Sequence, residues 1–352
     1  MKLSDLGFDC WFEEYARELL QPEQSIARVA AVDRGACLVR NQHGEISADL
    51  AGALRFSSQS GAELPCVGDW VCVQYHNSGA TAVIHKVFPR RTVLRRKCAG
   101  KTVDFQMIAA NIDVAFIVQS CHYDFNIRRF DRYLVMANEG HIEPVIVLSK
   151  TDLITPDELK DRIAEIQQTG ITVKILTLSN TTGAGVDDFR KSLVLGKTYC
   201  LLGSSGVGKT TLINRLIGQD VFDTKVVSGT GEGTHATARR QLIVLDQGAM
   251  LMDTPGMREL GILGASDGIS ESFADIHDLS RDCRFSDCTH TQEPGCAIVM
   301  SIEAGELSED GYQSYLKLRR ESEYNQMSYV DKRKKDRAFG RFIKSVQKNK
   351  DK

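Results

Sequence analysis

GSSGVGKT, residues 203–210, meets every fixed position of G-x-x-x-x-G-K-[ST] through Gly203, Gly208, Lys209 and Thr210. The apolar TYCLL precedes it and the amphipathic TTLINRL follows, the strand–loop–helix setting that this motif requires. Its glycines let successive backbone N–H groups, from Ser204 through Ser205, Gly206 and Val207 to Thr211, turn inward around phosphate oxygens. The helix that follows adds the positive end of its dipole. Lys209 is expected to bridge the β and γ phosphates, and the Thr210 hydroxyl to ligate Mg2+. At a distance of 44 residues, AMLMDTPGM places Asp253 at the end of an apolar strand, where a carboxylate holds Mg2+ through water. Gly256 then offers its N–H to the γ-phosphate. Between them, SGTGEGTHATARR is rich in Ser, Thr and Gly, as befits a switch that orders around γ-phosphate and metal. Thr237 is the expected metal hydroxyl, with Thr234 as the alternative. His235 is either the residue that positions or deprotonates water or a loop histidine satisfied by its neighbours.

A phosphate loop does not choose a base. VIVLSKTD ends a strand with Ser149, Lys150, Thr151 and Asp152, close to the N-K-x-D pattern that reads guanine. A carboxylate at Asp152 accepts from guanine N1–H and the exocyclic amine together, a donor pair adenine lacks. TLSNTTGAG, residues 177–185, supplies a second base loop, with Ser179 and Asn180 near the guanine O6. The chain order is base loop, second base loop, phosphate loop, switch and DTPG, the usual order of a guanine-nucleotide site rotated. All five are expected at one edge of a sheet, and rotation is tolerated because domain termini often lie close together.

CRFSDCTHTQEPGC supplies Cys283, Cys288, His290 and Cys296. Three thiolates and an imidazole within fourteen residues suit a tetrahedral structural Zn2+ with no open position for catalysis. The other seven of the ten cysteines are scattered singly, which fits a reducing cytosol better than a disulfide framework.

The elements that must carry these residues follow from periodicity. Residues 25–97 alternate in the β manner (SIARVAAV, ACLVR, EISADLAG, DWVCVQY, TAVIHKVF), with turn signals between, which predicts a small OB-type barrel. A basic connector follows, with Arg90, Arg91, Arg95, Arg96, Lys97 and Lys101. From about residue 111, continuous apolar runs alternate with amphipathic helices, predicting a mostly parallel sheet covered on both faces. We therefore expect an N-terminal extension over 1–24, a barrel over 25–100, an α/β nucleotide domain over 101–265 and an α-rich zinc domain over 266–352. The extension reads as a short helix with early acids, not as a secretory signal. No apolar run of about 18 residues predicts a membrane span. The net charge of −2 hides an asymmetry, because residues 317–352 hold 13 Lys/Arg against 5 Asp/Glu. A basic end on an acidic body predicts a polyanionic partner, or else a solvated helix of mixed charge.

Taken together, LPCVGDWV in the barrel, the rotated nucleotide motifs and the C…CTH…EPGC knuckle resemble the circularly permuted, ribosome-associated GTPases of the YjeQ/RsgA family. The resemblance covers nearly the whole chain. It implies an OB barrel, a P-loop GTPase domain and a zinc domain in a cytoplasmic, monomeric protein that hydrolyses GTP to GDP. It also implies action on the small (30S) ribosomal subunit, with rRNA held by the barrel, the zinc domain and the basic tail. Ser149 departs from the family's Asn, which is expected to weaken that loop's scaffolding. The switch reads GTHATA where the family favours a run of threonines. Met257 follows DTPG where many GTPases carry a water-orienting glutamine, so slow intrinsic hydrolysis is expected. The competing class is a non-catalytic RNA-binding module whose fold the nucleotide merely orders.

Overall fold

The computed structural model describes residues 1–33, 36–58, 60–97, 105–122, 125–219, 240–253 and 264–328, and singly 331, 334 and 337. The N-terminal helix α1 (Cys10–Leu19) starts where the Asp9 carboxylate accepts from the Trp11 N–H. It docks through the buried Phe12 and through Arg91, which pairs with Asp9 at 2.7 Å and lies over the Trp11 and Phe12 rings.

Five strands then close a barrel: β1 (Ser25–Val32), β2 (Cys37–Arg40), β3 (Glu45–Leu50), β4 (Trp70–His76) and β5 (Thr81–Val87). They run in the order β1-β2-β3-β5-β4, and β4 pairs back onto β1 from Ser25↔Val73 to Arg28↔Trp70. Ala27, Val29, Val39, Ala48, Val71, Ala82 and Ile84 fill the interior, small residues among branched ones as so narrow a barrel demands. A short helix, α2 (Gly52–Ser57), which the β alternation does not predict, joins β3 towards β4.

The expected basic connector is instead built into the structure. It forms β6 (Val93–Lys97), paired antiparallel with β7 (Phe105–Ala110). Arg90 donates to both Asp69 oxygens at 2.8 and 2.7 Å, Arg95 pairs with Glu139 at 2.8 Å and lies over Phe105, and Arg96 donates to Gln106. These cations are therefore engaged internally. Lys101 lies outside the described residues.

Beyond β7 the predicted apolar runs all form strands: β8 (Val114–Ser120), β9 (Glu143–Ser149), β10 (Ile175–Thr177), β11 (Thr198–Leu202), β12 (Gln241–Val244) and β13 (Met250–Asp253). Their order is β10-β9-β8-β11-β13-β12, parallel except for β12, and Ala31↔Gln241 joins β12 to the barrel strand β1. Helices α3 (Ile127–Glu139), α4 (Pro156–Gln168), α5 (Val186–Lys191) and α6 (Lys209–Ile217) accompany the sheet. The capping box of Thr155 and Glu158, with Pro156 at the first helical position, starts α4 where the sequence places it.

Among the described residues there follow α7 (Ser266–Ser272), α8 (Ala274–Ser280), α9 (Ala297–Glu303) and α10 (Glu309–Gln326). Of these, α7 and α10 pack on α3: Arg132 grips Glu321 with two contacts at 2.7 and 2.6 Å, Ser314 donates to the buried Asp131 at 2.5 Å, and Asn138 donates to Ser272. One apolar cluster runs from Phe12 and Trp70 through Ile117, Phe130 and Met250 to Ile276, Ile298 and Leu316. The first ten residues of the expected basic tail thus belong to a half-buried helix, and the tail proper starts after α10.

Candidate nucleotide and metal sites

The phosphate loop leaves β11 after Leu202 and enters α6 at Lys209. Gly203 has φ 148°, and a Cβ there would sit 2.2 Å from the Val118 carbonyl of β8, so only glycine lets the loop lie this close to the neighbouring strand. Gly208, at φ 97°, caps α6 in a left-handed conformation. Lys209 folds back, its Nζ donating to the carbonyls of Gly203 at 2.8 Å and Ser204 at 2.6 Å. That places the ammonium against the start of the loop, ready to exchange carbonyls for phosphate oxygens. Thr210 and Thr211 lie in the first turn of α6, Thr210 half-buried.

The base loops approach the phosphate loop from β9 and β10. Lys150 turns the chain in a left-handed conformation, φ 58°, and Thr151 and Asp152 open a single 3-10 turn. The Ser179 hydroxyl, fully buried, donates to Asp152 Oδ1 at 2.5 Å, which fixes the carboxylate that would meet guanine. Ser149 Oγ donates to the Val207 carbonyl at 2.7 Å, and Asn180 Nδ2 donates to the Gly208 carbonyl at 2.9 Å. The weakened scaffolding expected of Ser149 is therefore not found. The short hydroxyl still ties its loop to the phosphate loop, and Asn180 adds a second tie one residue further on. The Asn180 side chain is accordingly directed at the phosphate loop, while the Arg215 guanidinium donates to its carbonyl.

Asp253 reaches the same edge of the sheet. Met252 lies opposite Cys200 in the parallel β11–β13 ladder, so Asp253 emerges at the level where β11 gives way to the phosphate loop. Ligands at the carboxyl ends of parallel strands are the rule for open α/β sheets. A hydroxyl and a carboxylate, the types at Thr210 and Asp253, are oxygen donors that suit Mg2+ with nucleotide phosphates. Thr234, His235, Thr237, Gly256 and Met257 lie outside the described residues. One side chain that belongs to no sequence motif also faces this site. Arg129, in the first turn of α3, places Nη1 3.4 Å from Ser204 Oγ. Its segment, IRRFDRYLVMAN, reads as an ordinary amphipathic helix, and only the three-dimensional neighbourhood of β8 and β11 brings it to the loop.

The four sequence-predicted metal donors converge, all within 4.8 Å of one another. Cys283 Sγ is 3.9 Å from Cys296 Sγ, and His290 Nδ1 is 3.5 and 3.8 Å from those two sulfurs. A tetrahedral Zn2+ with Zn–S bonds of about 2.3 Å needs edges of about 3.8 Å, so the donor set fits the ion. Burial lowers the His290 pKa, favouring the neutral imidazole that binds metal. His290 holds φ 63°, a strained choice for a non-glycine, and Tyr312 of α10 donates to its carbonyl. The strained turn points the ring at the thiols, and a distant helix holds it there.

Comparison with known proteins shows the family. The RsgA GTPase family model matches residues 87–263. The small ribosomal subunit biogenesis GTPase RsgA of Opitutus terrae is 40% identical, covering 92% of this chain and 90% of its own length. RsgA 2 of Lactiplantibacillus plantarum is 41% identical, covering 90% and 89%. The crystal structure of YjeQ from Thermotoga maritima is 26% identical, with TM-score 0.63, covering 84% of this chain and 97% of its own. On these grounds, the chain belongs to the RsgA GTPase family and is a GTP-hydrolysing enzyme.

Proposed function

We propose that this GTPase acts in the biogenesis of the small ribosomal subunit and hydrolyses GTP slowly until subunit rRNA engages it. The observation that carries the guanine assignment is the knot of Ser149, Asp152, Ser179 and Asn180 on the phosphate loop, which assembles base and phosphate readers as one unit. Asp152 reads the guanine amine, Ser179 orients it, and the N–H groups of residues 203–211 with Lys209 hold the phosphates. Thr210, Thr237 and Asp253 would hold Mg2+, which would supply positive charge to the nucleotide phosphates. His235 positions the attacking water, the task for which Met257 has no suitable atom. The names of the relatives support the ribosomal assignment.

The rRNA contacts are assigned to the barrel, the zinc domain and the tail, in a cytoplasmic monomer with domains at 1–24, 25–100, 101–265 and 266–352. The tail after Ser328 holds ten Lys/Arg against three Asp/Glu, which supports a phosphate-rich partner. No described helix is long and apolar enough to cross a membrane.

Steady-state GTP turnover with and without small subunits tests this reading. The unmodified chain should be stimulated about a hundredfold, roughly 2.7 kcal/mol off the barrier. His235→Ala and a chain ending after Ser328 should each lose most of that gain. A cut at Leu316 would be uninformative, because it removes Glu321 and Ser322 of α10, which bond Arg132 and the Ala265 N–H. Turnover that subunits leave unchanged would refute the proposal.

A further inference from the structure

Two cations from different elements converge on one residue of the phosphate loop. Lys209 Nζ lies 2.6 Å from the Ser204 carbonyl, and Arg129 Nη1 lies 3.4 Å from the Ser204 hydroxyl. The lysine of this motif bridges the β and γ phosphates, so its ammonium marks the terminal-phosphate end of the cradle. Arg129 reaches that end from α3, the helix that follows β8, while Asp152 and Ser179 read the base from the loops after β9 and β10.

We propose that Arg129 binds the terminal phosphate of GTP within the same chain and so distinguishes GTP from GDP. A guanidinium gains more from a phosphate oxygen than from a neutral hydroxyl, because the hydrogen bond becomes charge-assisted and can be bidentate. Transition states of phosphoryl transfer spread charge over the terminal oxygens, and an arginine supplied in cis is one known way to meet that charge. GDP offers nothing at this position, so the contact is made with GTP and lost on hydrolysis.

The carrier of Arg129 is held firmly enough to aim it. On the adjoining helix positions, Asp131 accepts from Ser314 at 2.5 Å, Arg132 grips Glu321, and Arg128 reaches Asp310 at 3.6 Å, all on α10. Phe130, between them, is fully buried. A site built on a packed helix keeps its geometry better than one on a loop. Residues 128–132 therefore face two ways, one arginine to the nucleotide and the flanking groups to the zinc-bearing C-terminal helices.

This inference rests on the GTPase reading and has a separate failure. The experiment compares the full chain with Arg129→Ala, Arg129→Gln and Arg129→Lys. Affinities for GDP and for non-hydrolysable β,γ-imido-GTP are measured with Mg2+, alongside kcat for GTP. We expect GDP affinity within twofold of the unmodified chain, imido-GTP affinity at least tenfold weaker in the Ala and Gln variants, and kcat at least tenfold lower. Lys should recover part of both losses. If GDP and imido-GTP weaken together, Arg129 only braces the loop; if neither changes, it does not reach the phosphate. Either result overturns the proposal. A variant that fails to fold is recognised by lost GDP binding, and the Lys variant then decides by the ratio of the two affinities. Absence of GTP turnover in the unmodified chain would instead sink the GTPase reading itself.

Discussion

The metal knuckle draws four donors from fourteen consecutive residues, whereas the nucleotide site gathers Asp152, Ser179, Ser204 and Lys209 from the segments that follow three different strands. In the knuckle, geometry follows from local backbone, including the left-handed turn at His290. In the nucleotide site, geometry follows from sheet register. Ser149 meets Val207 only because β9 pairs with β8 from Val114↔Glu143 to Ser120↔Ser149, and β8 in turn with β11. A one-residue slip would turn every side chain of a strand to the other face. The contiguous site is thus shaped by its own chain segment, with Tyr312 of α10 as an outside tie, and the dispersed one by the integrity of the whole domain.

The sharpest way to separate the two is to destroy one and watch the other. Lys209→Ala removes the only ammonium in the phosphate motif and should lower GTP turnover roughly a thousandfold, of the order seen when one preorganised charge stabiliser is deleted. Phosphate release measures it, and zinc content should stay at one ion per chain. Loss of zinc on this substitution would break the comparison.

Asp152→Asn is expected to come next. Guanine loses its matched acceptor, so GTP affinity should fall about a hundredfold while xanthine nucleotide improves. Competition binding with GTP, XTP and ATP checks this, and equal affinity of the unmodified chain for ATP and GTP would refute the assignment of Asp152.

Replacing Cys288 and Cys296 together by serine should abolish zinc binding, as elemental analysis would report. Because the knuckle is anchored to α10 by Tyr312, and α10 to α3, the melting temperature should drop by several degrees. GDP affinity, by contrast, should change less than fivefold. Retained zinc would show that the four donors are not the ligands.

The smallest effect concerns the two ties to the phosphate loop. Ser149→Ala and Asn180→Ala should each cost about 1 kcal/mol of GDP binding, the ordinary net worth of one hydrogen bond. Their combination should exceed the sum, since each tie limits the loop's freedom when the other is gone. Strict additivity, measured by calorimetry, would show that the ties act independently.

How much of this could be read in advance follows the same division. The knuckle's donors were legible outright, since fourteen residues hold both the ligand types and their spacing. The phosphate motif and the strand runs were legible for the same local reason. The ties were not. Ser149 appeared as a loss relative to Asn because nothing in the sequence says that Val207 lies within reach of a shorter side chain. Arg90 and the arginines of β6 appeared as a basic connector, because Asp69 and Glu139 are distant in sequence and arrive only with the fold. Arg28 was equally silent. Fully buried beside Trp70, it donates to the carbonyls of Leu6, Gly68 and Asn111, and burial lowers its pKa to about 10.

The rotated strand order has a consequence during synthesis. Strand β8 sits between β9 and β11 in the finished sheet, yet β11 begins about 80 residues after β8 ends. At roughly 5–20 residues per second, a ribosome making this chain leaves one edge of that central, largely apolar strand open for about 4–16 s. An exposed strand edge is a template for wrong pairing. The phosphate loop follows directly on β11, so the segment that seals the open edge also delivers the first half of the nucleotide cradle. A nascent chain cannot hold GTP before the strand that covers this open edge has been made.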